Sequence, residues 1–254
     1  LNSDSELLNF NAQKALSERS TIGLSGDFNR DTTLTSDEDI TGRFLAKQVR
    51  FTQWDASPTW SYQLSPLDTI TVTGSYLSKD YNSVLKTDFQ YYGGSVDYSH
   101  QLSELSALTG SLSYFHYDAD NPPFNTTDDI YGALIGYKYA PSERFYVNAG
   151  LGADYDVNKQ DDPFEGGRDS NGDVGYRVKL ELGYQVNDQT NAKFLLSHDT
   201  EPSGDGLQVT RTRGTLSLSY ALSELTTLDL DANYVDNDSY FGEARTSEGL
   251  TRYY

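Results

Sequence analysis

The sequence predicts an all-β fold, an antiparallel up-and-down transmembrane β-barrel, on three observations. Apolar and polar residues alternate through long segments, short and long connections take turns between these segments, and aromatic residues gather near the segment ends. Strict alternation indicates a strand with two unlike faces. A barrel strand in a bilayer meets that condition, since one face contacts lipid and the other a wet lumen. We treat residues 1–254 as a single barrel domain.

The composition agrees with this fold class. The chain has 38 acidic and 19 basic residues, and its apolar residues are scattered singly. No stretch approaches the roughly 20 apolar residues of a membrane-spanning helix. The 20 Tyr, 11 Phe and 2 Trp argue against disorder, because disordered chains contain few aromatic residues. The net charge of −19 disfavours nucleic acid as a partner.

Single segments show the alternation clearly. In the segment 69–76, Ile70, Val72 and Tyr76 share one face, and threonine and serine occupy the other. The segment 145–157 repeats the pattern over a longer run. That run exceeds the usual soluble strand of about five or six residues and suits a tilted membrane strand of about 9–11.

About twelve strands can be placed in this way, and another begins near Leu250. The connections LSERS, LSPLD, LSELS and LSELT are short, whereas DADNPPFNTTDD and NKQDDPFEGGRDSNGD are long and acidic. Outer-membrane barrels have short periplasmic turns and long extracellular loops, so the recurring short phrase predicts the periplasmic hairpin. The predicted strands are 5–17, 21–34, 49–64, 69–82, 87–102, 105–118, 129–140, 145–158, 174–187, 190–200, 208–221 and 225–238.

A soluble β-sandwich or propeller also produces regularly spaced strands, but these folds favour shorter ones. If residues 17–20 form a periplasmic turn, the first strand runs towards the periplasm. Bacterial barrels usually have an even number of strands. We therefore expect sequence beyond both ends, and about 14–16 strands in the intact barrel.

Chemistry that would make the chain an enzyme is not evident in the sequence. Cysteine is absent, and His100, His116 and His198 lie on different predicted strands, so spacing yields no nucleophile and base pair. We expect these histidines in an interfacial girdle or in the lumen, and an enzyme site in the lumen is the last alternative. The segment DSNGD, 169–173, looks like a calcium loop but lacks the later glutamate, which favours a flexible loop. We predict no catalytic residue, no metal site and no cofactor.

The face opposite the apolar one predicts the lining of the lumen. Asp154 with Asp156, and Asp229 with Asp231, are spaced two apart and so share a face; each pair could bind a cation or act as acid and base, but we favour a solvated wall. Charged groups along a pore bias which solutes enter it, and here they favour neutral or cationic ones. The lining candidates are Asp27, Asp55, Asp97, Lys138, Tyr146, Asn148, Asp154, Asp156, Lys179, Glu181, Lys193, Asp229 and Asp231.

The LSER and LSEL turns, the SLSY strand endings and the segment 194–234 resemble a family of outer-membrane β-barrels found with exopolysaccharide secretion loci. The most distinctive part is a pattern of five residues: Ser197, Pro202, Ser203, Gly204 and Gly206. The resemblance implies a place in the outer membrane of a Gram-negative bacterium, in contact with lipid and lipopolysaccharide. It also implies a conduit or component for exopolysaccharide export that works with periplasmic secretion components.

Two other functions stay open at this point. One is a general diffusion porin for small solutes, and the other is a structural barrel that sheaths a partner protein. Tyr146, Asn148 and Phe115, all on predicted lumen positions, could serve neutral sugar chains.

Overall fold

A computed structural model describes residues 5–32, 49–83, 86–120, 125–162, 167–202, 208–223, 225–239 and 252–253. These residues form one sheet whose strand order follows the sequence, with antiparallel neighbours throughout. The predicted all-β, up-and-down fold is thereby confirmed, and each of the twelve predicted segments lies on a strand. The strands are β1 (Glu6–Ser17), β2 (Ser20–Thr32), β3 (Arg50–Gln63), β4 (Asp68–Tyr81), β5 (Asp88–Ser103), β6 (Ser106–Asp120), β7 (Thr126–Ser142), β8 (Phe145–Asp162), β9 (Gly167–Asn187), β10 (Thr190–Pro202), β11 (Gln208–Ser223), β12 (Thr226–Ser239) and β13 (Arg252–Tyr253).

In the part of the chain that the structure describes, no helix is long and apolar enough to span a membrane.

Five of the short turns are closed by the serine or asparagine that recurs in the hairpin phrase. Its side-chain oxygen accepts a hydrogen bond from the backbone N–H two residues later, a local bond that stabilises tight turns. The repeated phrase in the sequence is thus a repeated turn. The donor and acceptor pairs are Arg19 to Ser17 (3.3 Å), Leu67 to Ser65 (3.1 Å), Leu105 to Ser103 (3.2 Å), Gln189 to Asn187 (2.9 Å) and Leu225 to Ser223 (3.3 Å). We call this end of the sheet periplasmic and the other end extracellular, as in bacterial barrels.

One face of the sheet exposes large aliphatic side chains along its middle. Leu112, Ile135 and Leu151 are 66%, 70% and 69% exposed, and Ile135 pairs directly with Leu151. A continuous exposed apolar surface marks contact with a partner or a membrane. We call it the lipid face, and the opposite side the inner face.

Aromatic residues mark two levels on the lipid face. At the extracellular level Tyr114 pairs with Tyr131, which pairs with Tyr155, and the first two rings are 5.1 Å apart. At the periplasmic level Phe145 pairs with Tyr184. About ten residues of β8 separate the two levels, which on a tilted strand matches an apolar band about 25 Å tall.

The extracellular end of the inner face is apolar on β3 to β6. Phe51, Tyr81, Phe89 and Tyr117 form a buried cluster there with Val49 and Ala119, and the Lys79 ammonium lies 4.3 Å from the centre of the Phe51 ring. The expected wet inner face is therefore interrupted at this point. This inner cluster fills space beside the extracellular mouth.

β8 and β9 extend further than the sequence predicted. Alternation is lost after residue 158, so residues 159–173 were expected to form a loop. The ladder instead continues to the pair Asp162 and Gly167, and the segment 169–173 lies on β9. The backbone hydrogen bonds of a hairpin do not require an apolar face. The part of a hairpin that protrudes from the membrane can therefore stay paired although its residues do not alternate.

Ring closure depends on strands at the two edges of the sheet. β13 pairs with β12 through Tyr253 opposite Tyr234. Between the strands described, no pairing joins β1 to β12 or β13. The intact strand number of about 14–16 stays a prediction.

Candidate functional site

The strand register places every predicted lining residue on the inner face. The lipid face carries the alternate positions, such as Tyr155 between Asp154 and Asp156, and Leu230 between Asp229 and Asp231. Their role in a lumen stays a prediction. The residues so placed are Asp27, Asp55, Asp97, Lys138, Tyr146, Asn148, Asp154, Asp156, Lys179, Glu181, Lys193, Asp229 and Asp231.

Several of these residues meet in two adjacent rows near the periplasmic ends of β8 to β12. Neighbouring strands lie about 4.8 Å apart, so each row crosses the wall as a nearly continuous surface. We call these rows the polar belt. The first row is Tyr146, Gly183, Lys193, Ser217 and Asp231, and the second is Asn148, Glu181, Leu195, Thr215 and Asn233.

Glu181 is the centre of the belt on β8 to β10. The Tyr146 hydroxyl donates to its Oε1 at 2.9 Å, and Asn148 Nδ2 donates to Oε2 at 3.4 Å. Lys193 Nζ lies 3.0 Å from Oε1. The Glu181 and Lys193 side chains are 32% and 48% exposed, so the cluster is open to solvent on the inner side.

The Tyr146 ring packs against β9 because the residue paired with it, Gly183, has no side chain. A Cβ at Gly183 would stand 2.8 Å from Tyr146 Cδ1 and would overlap the adjacent ring atoms. The missing side chain therefore gives the ring its place on β9. The Tyr146 side chain is half-buried, so part of the ring stays exposed on the inner face.

The belt continues through hydroxyl and carboxylate groups on β11 and β12. Ser217 donates to Asp231 Oδ1 at 2.5 Å, and Thr215 donates to Asn233 at 2.9 Å. Asp229 lies two positions closer to the periplasmic turn, opposite Ser219. Lys138 on β7 stands opposite Asn148 and is exposed.

A second cluster lies on the inner face nearer the extracellular end. Arg177 holds Asp154 by two contacts, Nη2 to Oδ1 at 2.8 Å and Nε to Oδ2 at 3.2 Å. The side chains are only 13% and 3% exposed. Asp154 is thus committed to Arg177, so Asp154 and Asp156 are not a pair of equivalent carboxylates.

The remaining candidates are spread over the wall. Asp27 and Asp55 stand opposite each other on β2 and β3, and Asp97 on β5 accepts from Ser95 at 2.8 Å. Lys179 Nζ is 3.9 Å from Asp199. These residues make the inner face charged without forming one site.

The three histidines lie on the lipid face. His100 Nδ1 is 2.7 Å from Asp68 at the periplasmic end, and His116 Nδ1 is 2.8 Å from Asp129 at the extracellular end. His198 stacks on Tyr176 with ring centres 4.1 Å apart. These positions suit interfacial anchoring, where polar tips meet water and rings meet lipid. Over the described ranges, no group of three or more acidic or histidine side chains is placed to hold a metal ion.

The sequence did not single out Gly183 or Gly132, which make room on the inner face. The signal was present: both glycines occupy inner-face positions where a polar side chain was expected, each beside lipid-facing aromatic or aliphatic residues. Of the distinctive resemblance pattern, Ser197 and Pro202 lie on β10. Ser203, Gly204 and Gly206 lie outside the described residues.

Comparison with known proteins gives a likeness of fold. No known family model matches the chain, and no curated protein sequence matches it. The FrpB iron transporter from Neisseria meningitidis (F3-3 variant) aligns with a TM-score of 0.57 at 11% identity, over 99% of this chain and 47% of that one. Its F5-1 variant aligns with a TM-score of 0.55 at 12% identity, over 93% of this chain and 46% of that one.

The chain therefore spans less than half the length of these structural neighbours. What it shares with them is the sheet of an outer-membrane β-barrel. This likeness confirms the predicted fold class. The lipid face and its two aromatic levels agree with the outer membrane as the predicted location.

Proposed function

We propose that this chain is a conduit, or a component of one, for export of an exopolysaccharide across the outer membrane. The observation that carries the proposal is the polar belt. It presents hydroxyl, amide, carboxylate and ammonium groups side by side over five strands at the periplasmic end of the inner face. A sugar chain offers hydroxyl groups at similarly close intervals, so such a surface can exchange hydrogen bonds with a moving polymer.

Support also comes from the resemblance of the turns and of the segment 194–234 to barrels found with exopolysaccharide secretion loci. The partners that follow are outer-membrane lipid and lipopolysaccharide around the barrel, and periplasmic secretion components below it. The transport of iron by the FrpB structural neighbours is consistent with a transport role in the broader sense.

A second candidate function is a diffusion channel for small solutes. It is favoured by the inner cluster, because Phe51, Tyr81 and Tyr117 fill space on one side of the extracellular mouth. A narrowed mouth limits the size of what can pass.

Conductance of the purified protein in planar bilayers tests the proposal. For a conduit, we expect an open-pore current that falls when neutral polysaccharide is added on the periplasmic side. A current that is unchanged by the polymer, through a pore that passes small sugars and ions, would instead identify a diffusion channel. If no current flows at all, a barrel that sheaths a partner protein becomes the better explanation.

A further inference from the structure

We propose that Tyr146, Glu181, Asn148 and Lys193 form a binding subsite for one neutral hexose unit at the periplasmic end of the lumen. The subsite deepens the proposed export function and rests on it. All four residues lie on the inner face of β8 to β10.

The first element is an aromatic platform. Tyr146 lies over Gly183 and is held there by its hydroxyl, which donates to Glu181 at 2.9 Å. The face of an aromatic ring is electron-rich and attracts partly positive groups. The axial C–H groups on one side of a hexose ring are partly positive in this sense and can pack on the exposed part of the Tyr146 ring.

The second element is a set of polar groups at the edge of the platform. A carboxylate has about four lone-pair positions, and Glu181 uses three for Tyr146, Asn148 and Lys193. An ammonium group has three donors, and contact with Glu181 needs one. Glu181 can thus still accept a hydrogen bond and Lys193, beside it, can still donate one, which suits two adjacent sugar hydroxyls.

The third element is charge. Glu181 and Lys193 lie 3.0 Å apart and neutralise each other. The pair itself therefore carries no net charge, so it gains nothing from an anionic sugar acid, and its remaining donors and acceptor suit the hydroxyls of a neutral one. The ligand class is therefore a neutral hexose rather than a uronic acid.

The position of the subsite gives it a role in the proposed function. Tyr146 follows the turn between β7 and β8 by one residue, so a polymer arriving from the periplasm meets the platform early. Ser217 and Asp231 continue the same row and offer hydrogen bonds to the neighbouring unit.

Isothermal titration calorimetry of the detergent-purified protein tests this, with short oligomers of glucose, galactose and N-acetylglucosamine as probes. We expect Tyr146→Ala to weaken binding about tenfold, and Tyr146→Phe, which keeps the ring, to weaken it less. Gly183→Ala should act like Tyr146→Ala, because its Cβ displaces the ring while the hydroxyl remains. Asp97→Asn, on the inner face of β5, is the control and should bind as the wild type does.

Unchanged gel mobility of unboiled samples would show that each variant is folded. The subsite is overturned if the wild type binds none of the neutral oligomers, or if Tyr146→Ala binds as tightly as Asp97→Asn. If polysaccharide still blocks the bilayer current in that case, the conduit survives without the subsite. A current that ignores polysaccharide, with oligomer binding intact at Tyr146, would instead overturn export and leave a sugar-binding channel.

Discussion

Arg177 on β9 reaches Ser113 on β6, 64 residues earlier in the chain, with Nη1 at 3.4 Å from Oγ. Its side chain passes over Gly132 on β7, where an added Cβ would lie 3.1 Å from Nη1. A Cβ at Gly132 would lie 2.7 Å from Asp154 Oδ1 and would also overlap Ser113 Oγ. A single side chain on β9 therefore bonds to β8 and β6 on the inner face and spans β7 between them.

Removing this tie should destabilise the barrel. Arg177→Ala leaves Asp154, which is 3% exposed, as a buried charge without its partner, a loss of about 3–5 kcal/mol. Urea unfolding from lipid vesicles, followed by tryptophan fluorescence, measures the loss. Lys179→Ala is the matched control, since Lys179 is 57% exposed and 3.9 Å from its acidic neighbour. Equal stability of the two variants would refute the tie.

Charge on the two faces of β12 should have opposite consequences. Leu230 is 54% exposed on the lipid face, so Leu230→Arg should cost up to about 2–4 kcal/mol near the bilayer centre and reduce membrane assembly. Asp229→Asn, one residue away on the inner face, should leave assembly unchanged and reduce the preference for cations. Assembly assays and reversal potentials in bilayers measure the two effects. Identical behaviour of both variants would mean that the faces are wrongly assigned.

The periplasmic turns should each contribute separately. Ser103→Ala removes the acceptor for the Leu105 N–H and should lower the free energy of unfolding by about 0.5–1.5 kcal/mol. Ser103→Thr keeps the hydroxyl and should be close to the wild type. Denaturant unfolding of both variants checks this, and an equal loss in each would show that the hydroxyl is not what closes the turn.

Acid should weaken one periplasmic turn selectively. Hydrogen bonds from Ser65, Tyr98 and His100 lower the pKa of Asp68, at the turn between β3 and β4, from 3.8 to about 2. Because the folded pKa is depressed, the stabilisation is present above about pH 4 and is lost as the pH falls towards 2. The difference in unfolding midpoint between wild type and Asp68→Asn should therefore shrink over that window. A difference independent of pH would contradict the assignment.

Much of the fold could be predicted because a membrane strand can be recognised from its alternation of apolar and polar residues. Val72 and Leu151 mark the lipid face by their spacing, and the predicted segments match β1 to β12. The extension of β8 to Asp162 was missed, because outside the bilayer the ladder holds without alternation.

The inner face was harder to predict than the lipid face. Residues alternate between the two faces, so once the lipid-facing positions are known, Glu181 and Lys193 can be placed on the inner face from the sequence. The contact of Glu181 with Tyr146 depends on strand register and on the gap at Gly183, and neither can be read from a single strand. The burial of Tyr117 was missed for a related reason, since its packing partners come from other strands.

The serine-closed turns give each of these hairpins a turn signal of its own. The bond between Ser103 and Leu105 spans two residues and involves no neighbouring hairpin, and the same holds for Ser17 and Ser223. A hairpin duplicated or deleted in the gene brings or removes its own turn signal, and its flanking strands can pair with whatever hairpins stand beside them. This architecture can therefore change its circumference two strands at a time during evolution.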